Sequence, residues 1–150
     1  MIQTMRISRR HLPDVLHLMV ALREDLGREV DPRKLAEEFH TLMGRREGGL
    51  HVFVAREGRF PIGYLAGCFG VSTQPMVPVF CIHEIFVAKP YRGGRVFRAL
   101  GAEAVAHATA KGARLMELRL RYTQRDLALL AESLGFEPTG RQVFERIIDA

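Results

Sequence analysis

The segment from Ile82 to Leu100 places a basic residue and two glycines between an apolar run and a helical pattern. Arg92, Gly93 and Gly94 follow a proline turn and precede the helix that Arg95 should begin. The first amides of a helix lack intrahelical acceptors, and the helix end carries about +0.5 charge. Because glycines let such a backbone approach an anion closely, the spacing predicts a diphosphate site. Its predicted members are Arg92, Gly93, Gly94, Arg95, Val96 and Phe97.

This segment resembles the GNAT superfamily of acyl-CoA-dependent N-acetyltransferases, in which a strand precedes Arg/Gln-x-x-Gly-x-Gly/Ala at the start of a helix. With Arg92 aligned, Arg95 stands where the family has glycine, and Phe97 where it has glycine or alanine. We expect Arg95 to keep helical angles, because a residue other than glycine pays about 1–2 kcal/mol in the left-handed region. Gly93 and Gly94 would then form the turn. The Arg-Gly-Gly-Arg loop resembles that of GNAT-type proteins of phages and prophages.

Two further segments carry the same resemblance. Residues 124–140 are similar to the family's closing helix, Asn-x-x-Ala-x-x-x-Tyr-x-x-x-Gly-Phe, with Gly135-Phe136 as the ending. Gln124 stands at the Asn position, and the resemblance implies that it is a cofactor-binding residue. Ala131 replaces the tyrosine that often protonates the departing thiolate in that family, so water or Tyr122 would have to serve. Residues 58–67 are similar to the family's glycine-containing hairpin. The resemblance covers most of the chain and implies one acyl-CoA-binding domain over residues 1–150.

The resemblance implies transfer of an acetyl group from acetyl-CoA to an amine of a protein or small molecule, by direct attack in a ternary complex. The amine must be deprotonated first, which costs roughly 4 kcal/mol for a lysine but under about 1 kcal/mol for an α-amino group at neutral pH. Glu84, on the strand before the loop, is the candidate base. The alternative is a glutamate in a structural ion pair with an arginine. In a regular strand, His83 points to the opposite face.

The strand itself has an implied role. By resemblance to the family, backbone amides near Phe86 and Val87 meet the pantetheine arm of the cofactor, where the strand splays from its neighbour. The same amides would stabilise the oxyanion of the tetrahedral intermediate. The alternative is that both are ordinary ladder residues.

One alternative function competes with catalysis, and two other kinds of site are not expected. The departures at Arg95, Phe97 and Ala131 would fit a catalytically degenerate binding module, in which the Phe97 ring could block the phosphate site. Nucleic-acid binding is not expected, because no helix-turn-helix, basic helix or aromatic platform is visible. No metal site is expected either, because the His83-Glu84 pair lacks the second histidine of a zinc motif.

The elements that position these residues alternate in the order βααβββαβαβ, which predicts a mixed α/β domain. Two β-α-β crossovers require parallel neighbours, so we expect a central mixed sheet of six to seven strands with helices on both faces. The predicted strands are Ile2–Ile7, His51–Ala55, Ile62–Val71, Val77–Val87, Leu115–Leu120 and Val143–Ile148. Helices are predicted from Leu12, from Pro32 after an Asp31 cap, over Arg95–Ala110 and over Asp126–Leu134. Residues 71–78 are predicted to be a loop on the acceptor side.

Composition sets broader bounds. The 150 residues are 47% hydrophobic and carry a net charge of +5, with nineteen arginines among 22 basic residues. This balance fits either an anionic partner or a solvated surface. Cys68 and Cys81 lie in apolar runs and are expected to be buried free thiols of a reducing compartment. With neither a signal core nor a membrane span in the sequence, we expect a cytoplasmic protein, and the family resemblance allows a homodimer.

Overall fold

The computed structural model describes residues 1–149, which form five strands and four α-helices. The strands are β1 (Ile2–Ile7), β2 (His51–Glu57), β3 (Phe60–Thr73), β4 (Met76–Val87) and β5 (Leu115–Leu118). The helices are α1 (Leu12–Asp25), α2 (Pro32–Met43), α3 (Arg95–Ala110) and α4 (Arg125–Ser133). Two 3-10 turns, Arg9–His11 and Lys89–Tyr91, precede α1 and α3.

The strands form one mixed sheet in the order β1-β2-β3-β4-β5. The first three pairings are antiparallel, whereas β4 and β5 are parallel because α3 carries the chain from one to the other. The mixed sheet is as predicted. The count of six to seven strands is wrong, because the sheet has five within the described residues.

The missing strand is the predicted Val143–Ile148. No strand is present over residues 140–149, and the large apolar side chains there are 68–90% exposed: Val143, Phe144, Ile147 and Ile148. An apolar β-type sequence becomes a strand only when a neighbouring backbone completes its ladder. Without that neighbour the second predicted crossover is also absent.

The segment predicted as a loop on the acceptor side, residues 71–78, is part of a hairpin instead. β3 continues to Thr73 and β4 begins at Met76, so Gln74 and Pro75 alone make the turn. The polar residues here suggested a loop, but an antiparallel strand can carry such residues where it faces water. The strand ends of this hairpin are largely solvent-exposed, so the loop prediction is wrong.

Helices cover both faces of the sheet, as predicted. On one face, α3 and α4 pack on a cluster that includes Phe53, Phe80 and Ile85. On the other face, α1 and α2 pack on a cluster that includes Val54, Tyr64 and Phe86. This alternation along β2, β3 and β4 follows from the two-residue period of a strand.

The predicted start of α2 is also confirmed. The Asp31 side chain accepts a hydrogen bond of 3.0 Å from the Arg33 amide, and Pro32 occupies the first helical position.

A histidine pair lies where α3 crosses the start of β2. The His51 ring packs edge-on against Phe69, with ring centres 5.1 Å apart, and lies 5.3 Å from the His107 ring. The Arg6 guanidinium is 3.4 Å from His51 Nδ1 and 3.5 Å from His107 Nε2. Burial and the Arg6 charge lower the pKa of His51 to about 4.

This lowered pKa predicts a pH dependence of folding. Between pH 6.5 and pH 4 the unfolded chain protonates His51 while the folded chain keeps it neutral, so stability present above pH 6.5 is lost as the pH falls. Because the ring is only half-buried, we expect a loss of about 1–2 kcal/mol, less than full linkage would give. Urea unfolding at pH 7 and pH 4.5 measures it, and His51→Gln should show a smaller loss. An equal loss in that variant would assign the effect to another group.

Candidate active site

The loop between β4 and α3 has the geometry that its glycines predict. Gly94 is the N-cap of α3 with φ of +98°, and the first helical hydrogen bond runs from the Arg98 amide to the Gly94 carbonyl at 2.9 Å. A Cβ at Gly94 would lie 2.8 Å from Arg98 Nη1 and 3.0 Å from Leu130 Cδ2. Arg95 begins the helix, as expected, and within residues 1–149 every residue with positive φ is a glycine.

The backbone amides of residues 93–97 face no protein acceptor in the part of the chain that the structure describes. Val96 and Phe97 have buried side chains, 1% and 4% exposed, that pack in the core under α3. They can therefore contribute to an anion site through their amides, and the Phe97 ring does not occupy the loop. Arg95 is exposed and free to add its side chain. We call the amides of residues 93–97 the amide cradle.

Arg92 is held by other parts of the protein. Its Nε donates to the Val87 carbonyl at 2.8 Å, and Nη2 pairs with Asp25 Oδ2 at 3.0 Å. Its guanidinium also lies 5.2 Å from the centre of the Phe86 ring, and its amide donates to the Lys89 carbonyl. Arg92 therefore ties the loop to β4 and α1, whereas the sequence predicted that it contacts the diphosphate.

The last residues of β4 leave one backbone edge open. β5 pairs with β4 only as far as Ile82, and the Arg119 amide adds one bond to the Ile82 carbonyl at 3.1 Å. β4 continues to Val87 without a β5 partner. The edge of β4 beyond Ile82 is therefore open, and the splay of the two strands stays a prediction.

Along this open stretch of β4, successive backbone amides point alternately toward β3 and toward the open edge. The Ala88 amide donates to Ile62 of β3 at 2.8 Å, so the amides of Val87 and Ile85 face away from β3. The Val87 amide thus faces the open edge, and its contact with a cofactor stays a prediction. The prediction for Phe86 needs correction, because its backbone faces β3 and its side chain is buried in the core. Ile85 takes its place as the second outward amide.

A β-bulge at His83 decides which face Glu84 occupies. Ala66 pairs with Glu84 while Gly67 pairs with Ile82, so His83 is the extra residue. Ile82 packs on the α3 face, and the bulge turns Glu84 to the α1 face. A Cβ at Gly67 would overlap the Cys81 carbonyl, so glycine is needed for this close approach.

Glu84 lies in a hydrogen-bonded triad with Arg23 and Tyr64. Arg23 donates to both carboxylate oxygens, at 3.1 and 3.0 Å, and the Tyr64 hydroxyl donates to Oε1 at 2.9 Å. Arg23 also donates to the Met19 carbonyl and lies 5.3 Å from the centre of the Phe39 ring. The side chains of Arg23 and Glu84 are each 21% exposed. The ion pair that stood as the alternative for Glu84 is therefore present, and the carboxylate still has an opening to solvent.

The two partners of Glu84 keep their protons. Burial, followed by the negative charge of Glu84, raises the pKa of Tyr64 well above its usual value. Burial opposes the charge on Arg23, but the Glu84 carboxylate outweighs it and raises the pKa of Arg23. Neither partner is marked by a motif: Arg23 lies in the last turn of α1, and Tyr64 lies inside an apolar run.

The closing helix lies close to the loop. Gln124 is the residue before α4, and its Oε1 accepts from the Arg121 amide at 2.8 Å, so its side chain closes the turn after β5. Leu130 of α4 packs beside Gly94. Ala131 is buried in the core, and Tyr122 is fully exposed.

The remaining predictions concern the thiols, metal ligands and membrane-spanning helices. Cys81 is buried, Cys68 is half-buried, and the two free thiols lie opposite each other on β3 and β4. Burial raises the pKa of both thiols. Among residues 1–149, no three histidine, cysteine or acidic side chains gather as metal ligands. None of the helices in that range is long and apolar enough to span a membrane.

Comparison with known proteins gives a family match. The model described as "Acetyltransferase (GNAT) family" matches residues 16–136. A relative named as an uncharacterized N-acetyltransferase of Methanocaldococcus jannaschii is 34% identical over 100 residues, which is 66% of this chain and 43% of the relative. The chain therefore spans less than half of that protein.

Solved structures share the fold. An aminoglycoside N-acetyltransferase in complex with CoA superposes with a TM-score of 0.84 at 21% identity, covering 98% of this chain and 95% of that one. A ribosomal-protein-alanine N-acetyltransferase from Brucella melitensis biovar Abortus gives 0.80 at 15% identity, covering 98% and 99%. At such identities the likeness shows the fold alone.

Proposed function

Because this chain belongs to the acetyltransferase (GNAT) family, we propose that it transfers an acetyl group from acetyl-CoA to an amine of a protein or small molecule. The observation that carries the proposal is the amide cradle, in which Gly94 has φ of +98° and which lies beside the unpaired end of β4. A CoA-like molecule needs both features, a diphosphate site and an open strand edge for its arm. The two comparison enzymes act on an aminoglycoside and on a ribosomal protein, and their names support both acceptor classes.

Different residues of the chain would bind the diphosphate, bind the arm of the cofactor and position the loop. The amides of residues 93–97 and the Arg95 side chain bind the diphosphate, and the buried Val96 and Phe97 side chains fix the helix end. The outward amides of Val87 and Ile85 donate to the arm and stabilise the oxyanion that forms at the thioester carbonyl. Gln124 holds the turn before α4 and thereby the Leu130 contact with the loop. Arg92 is a positioning residue that anchors the loop.

Glu84 is the proposed general base. It lies at the start of the open stretch of β4, and its side chain is partly exposed. Arg23 holds both oxygens in one orientation, which fixes the direction in which the carboxylate accepts a proton from the acceptor amine, directly or through water. The leaving thiolate takes its proton from water in this scheme, because Ala131 is buried and carries no proton donor.

Isothermal titration calorimetry with acetyl-CoA tests the cofactor half of the proposal. We expect a dissociation constant of about 1–100 µM, in the usual range for enzyme substrates. 4′-Phosphopantetheine, which lacks the diphosphate, should bind at least about tenfold more weakly if the amide cradle holds that group. Absence of acetyl-CoA binding at about 1 mM would overturn the proposal.

A binding module without catalysis is the second candidate. It is favoured by Ala131 at the position of the usual proton donor and by the Arg23–Glu84 ion pair. The Phe97 ring, which could have blocked the loop, is buried in the core and gives this candidate no support. This candidate predicts that the chain binds acetyl-CoA but transfers its acetyl group to no amine. Bound acetyl-CoA would then hydrolyse no faster than the free thioester.

A further inference from the structure

A second concave site lies at the end of the sheet remote from the amide cradle. The cavity has a volume of about 420 Å³ and is formed by the end of β1, the end of α2, the loop before β2, and β3. β2 and β4 run in the same direction, and the register places His51 of β2 level with Ile82 of β4, before β4 ends at Val87. The amide cradle, which follows the end of β4, is therefore remote from this cavity, whereas Glu84 is level with Val52 and lies two strands away from it. We call this site the arginine cavity, and its functional lining comprises Arg6, Arg9, Arg45, Arg46, His51 and Phe69.

The arginine cavity concentrates positive charge without a protein counter-ion. Four arginines line it, and no aspartate or glutamate does. The ion pairs of the described residues are Arg23–Glu84, Arg33–Glu37 and Arg92–Asp25, and none of them involves a cavity arginine. Like charges gathered in one concavity repel each other, and a bound anion removes that cost.

Contacts with neighbouring residues position the guanidinium groups of Arg9 and Arg6. The Arg9 guanidinium lies over the end of α2, where a Cβ at Gly44 would come within 2.6 Å of Arg9 Nη1, so glycine makes room for it. Arg6 is fixed by its contacts with His51 and His107. Arg45 and Arg46 follow Gly44 in an exposed loop that also contains Gly48 and Gly49, whose backbones line the cavity. Arginine forks match phosphate oxygens in pairs.

From this arrangement we propose that the arginine cavity binds a small phosphorylated anion of about mononucleotide size. The arginines hold its phosphates, and the Phe69 and His51 rings contact its uncharged part. The volume lies within the range of small-molecule sites, about 300–1,000 Å³. A half-open concavity of this volume suits a compact anion better than the continuous phosphate track of a duplex. The inference is independent of the proposed acetyl transfer.

The test uses inorganic pyrophosphate and uridine 5′-diphosphate as probes, and any binding to the amide cradle, which both double variants keep, cancels when the variants are compared. Calorimetry should give binding that weakens at least about tenfold in Arg45→Ala/Arg46→Ala, because charge-assisted hydrogen bonds to the phosphate are lost. The matched control, Arg33→Ala/Arg59→Ala, removes two exposed arginines outside the cavity and should bind like the unaltered chain. Thermal melting checks that both variants fold.

An NMR titration of the histidines locates the ligand. A bound anion should raise the pKa of His51 from about 4 by about one unit. Since this readout needs no CoA, it also distinguishes failure of the cavity from failure of the proposed acetyl transfer. Equal affinity in both double variants, an unmoved His51, or affinity no better than that for sulfate would overturn the proposal. Much tighter binding of an oligonucleotide or an acidic peptide to the same residues would overturn it in favour of that partner.

Discussion

Gly94→Ala should weaken acetyl-CoA binding by about tenfold or more and lower the melting temperature. Gly94 has φ of +98°, where a side chain costs about 1–2 kcal/mol. The new Cβ would also press on Arg98 Nη1 at 2.8 Å and on Leu130 Cδ2 at 3.0 Å. Arg98 can move, whereas Leu130 lies on the packed face of α4. The chain must therefore rotate the first turn of α3, which redirects the amide cradle. Calorimetry and thermal melting measure the two effects.

Gly101→Ala is the matched control on the same helix. A Cβ at Gly101 meets nothing within 4 Å, and the residue lies inside α3. Alanine is the better helix former by about 1 kcal/mol, so the melting temperature should rise while acetyl-CoA affinity stays unchanged. If Gly94→Ala lost stability but kept full affinity, the amide cradle would not be the diphosphate site.

The features that local chemistry controls could be predicted from the sequence. α3 has the predicted bounds, Arg95 to Ala110, because a glycine turn precedes it and its apolar positions keep helical spacing. The Asp31-Pro32 start of α2 follows equally from capping chemistry. Gly94 at positive φ and Arg95 in the helix follow from the cost of left-handed angles.

The features that depend on distant partners could not be predicted. Val143–Ile148 has the composition of a strand, but pairing is a property of two segments and no neighbour completes the ladder. The outward amide is that of Ile85, not Phe86, because the neighbouring β3 sets the direction of the edge. A bulge at His83 is one extra residue that no local pattern in the run announces. Arg23 meets Glu84 across 61 positions of the chain.

Glu84→Gln should lower kcat for acetyl transfer by about 100-fold or more, the usual contribution of a positioned base. Glutamine keeps the shape of the side chain, and its Oε1 can still accept from Tyr64 and from Arg23 Nη1, but its NH2 group cannot accept from Arg23 Nη2. The stability of the variant is therefore measured beside its kcat. Steady-state kinetics at saturating acetyl-CoA measure kcat, and an unchanged kcat in Glu84→Gln would clear Glu84 of the role of base.

Two further variants separate a catalytic carboxylate from a structural ion pair. Tyr64→Phe removes one neutral donor, costs about 1 kcal/mol of stability and should leave kcat within a few-fold. Arg23→Met leaves Glu84 without its cationic partner and should cost about 1–3 kcal/mol of stability, since the pair is mostly removed from water. If the ion pair is purely structural, Glu84→Gln must lower stability as Arg23→Met does and leave kcat nearly intact. Because a base acts on the rate and an ion pair on stability, comparing kcat with urea stability across the three variants assigns the role of Glu84.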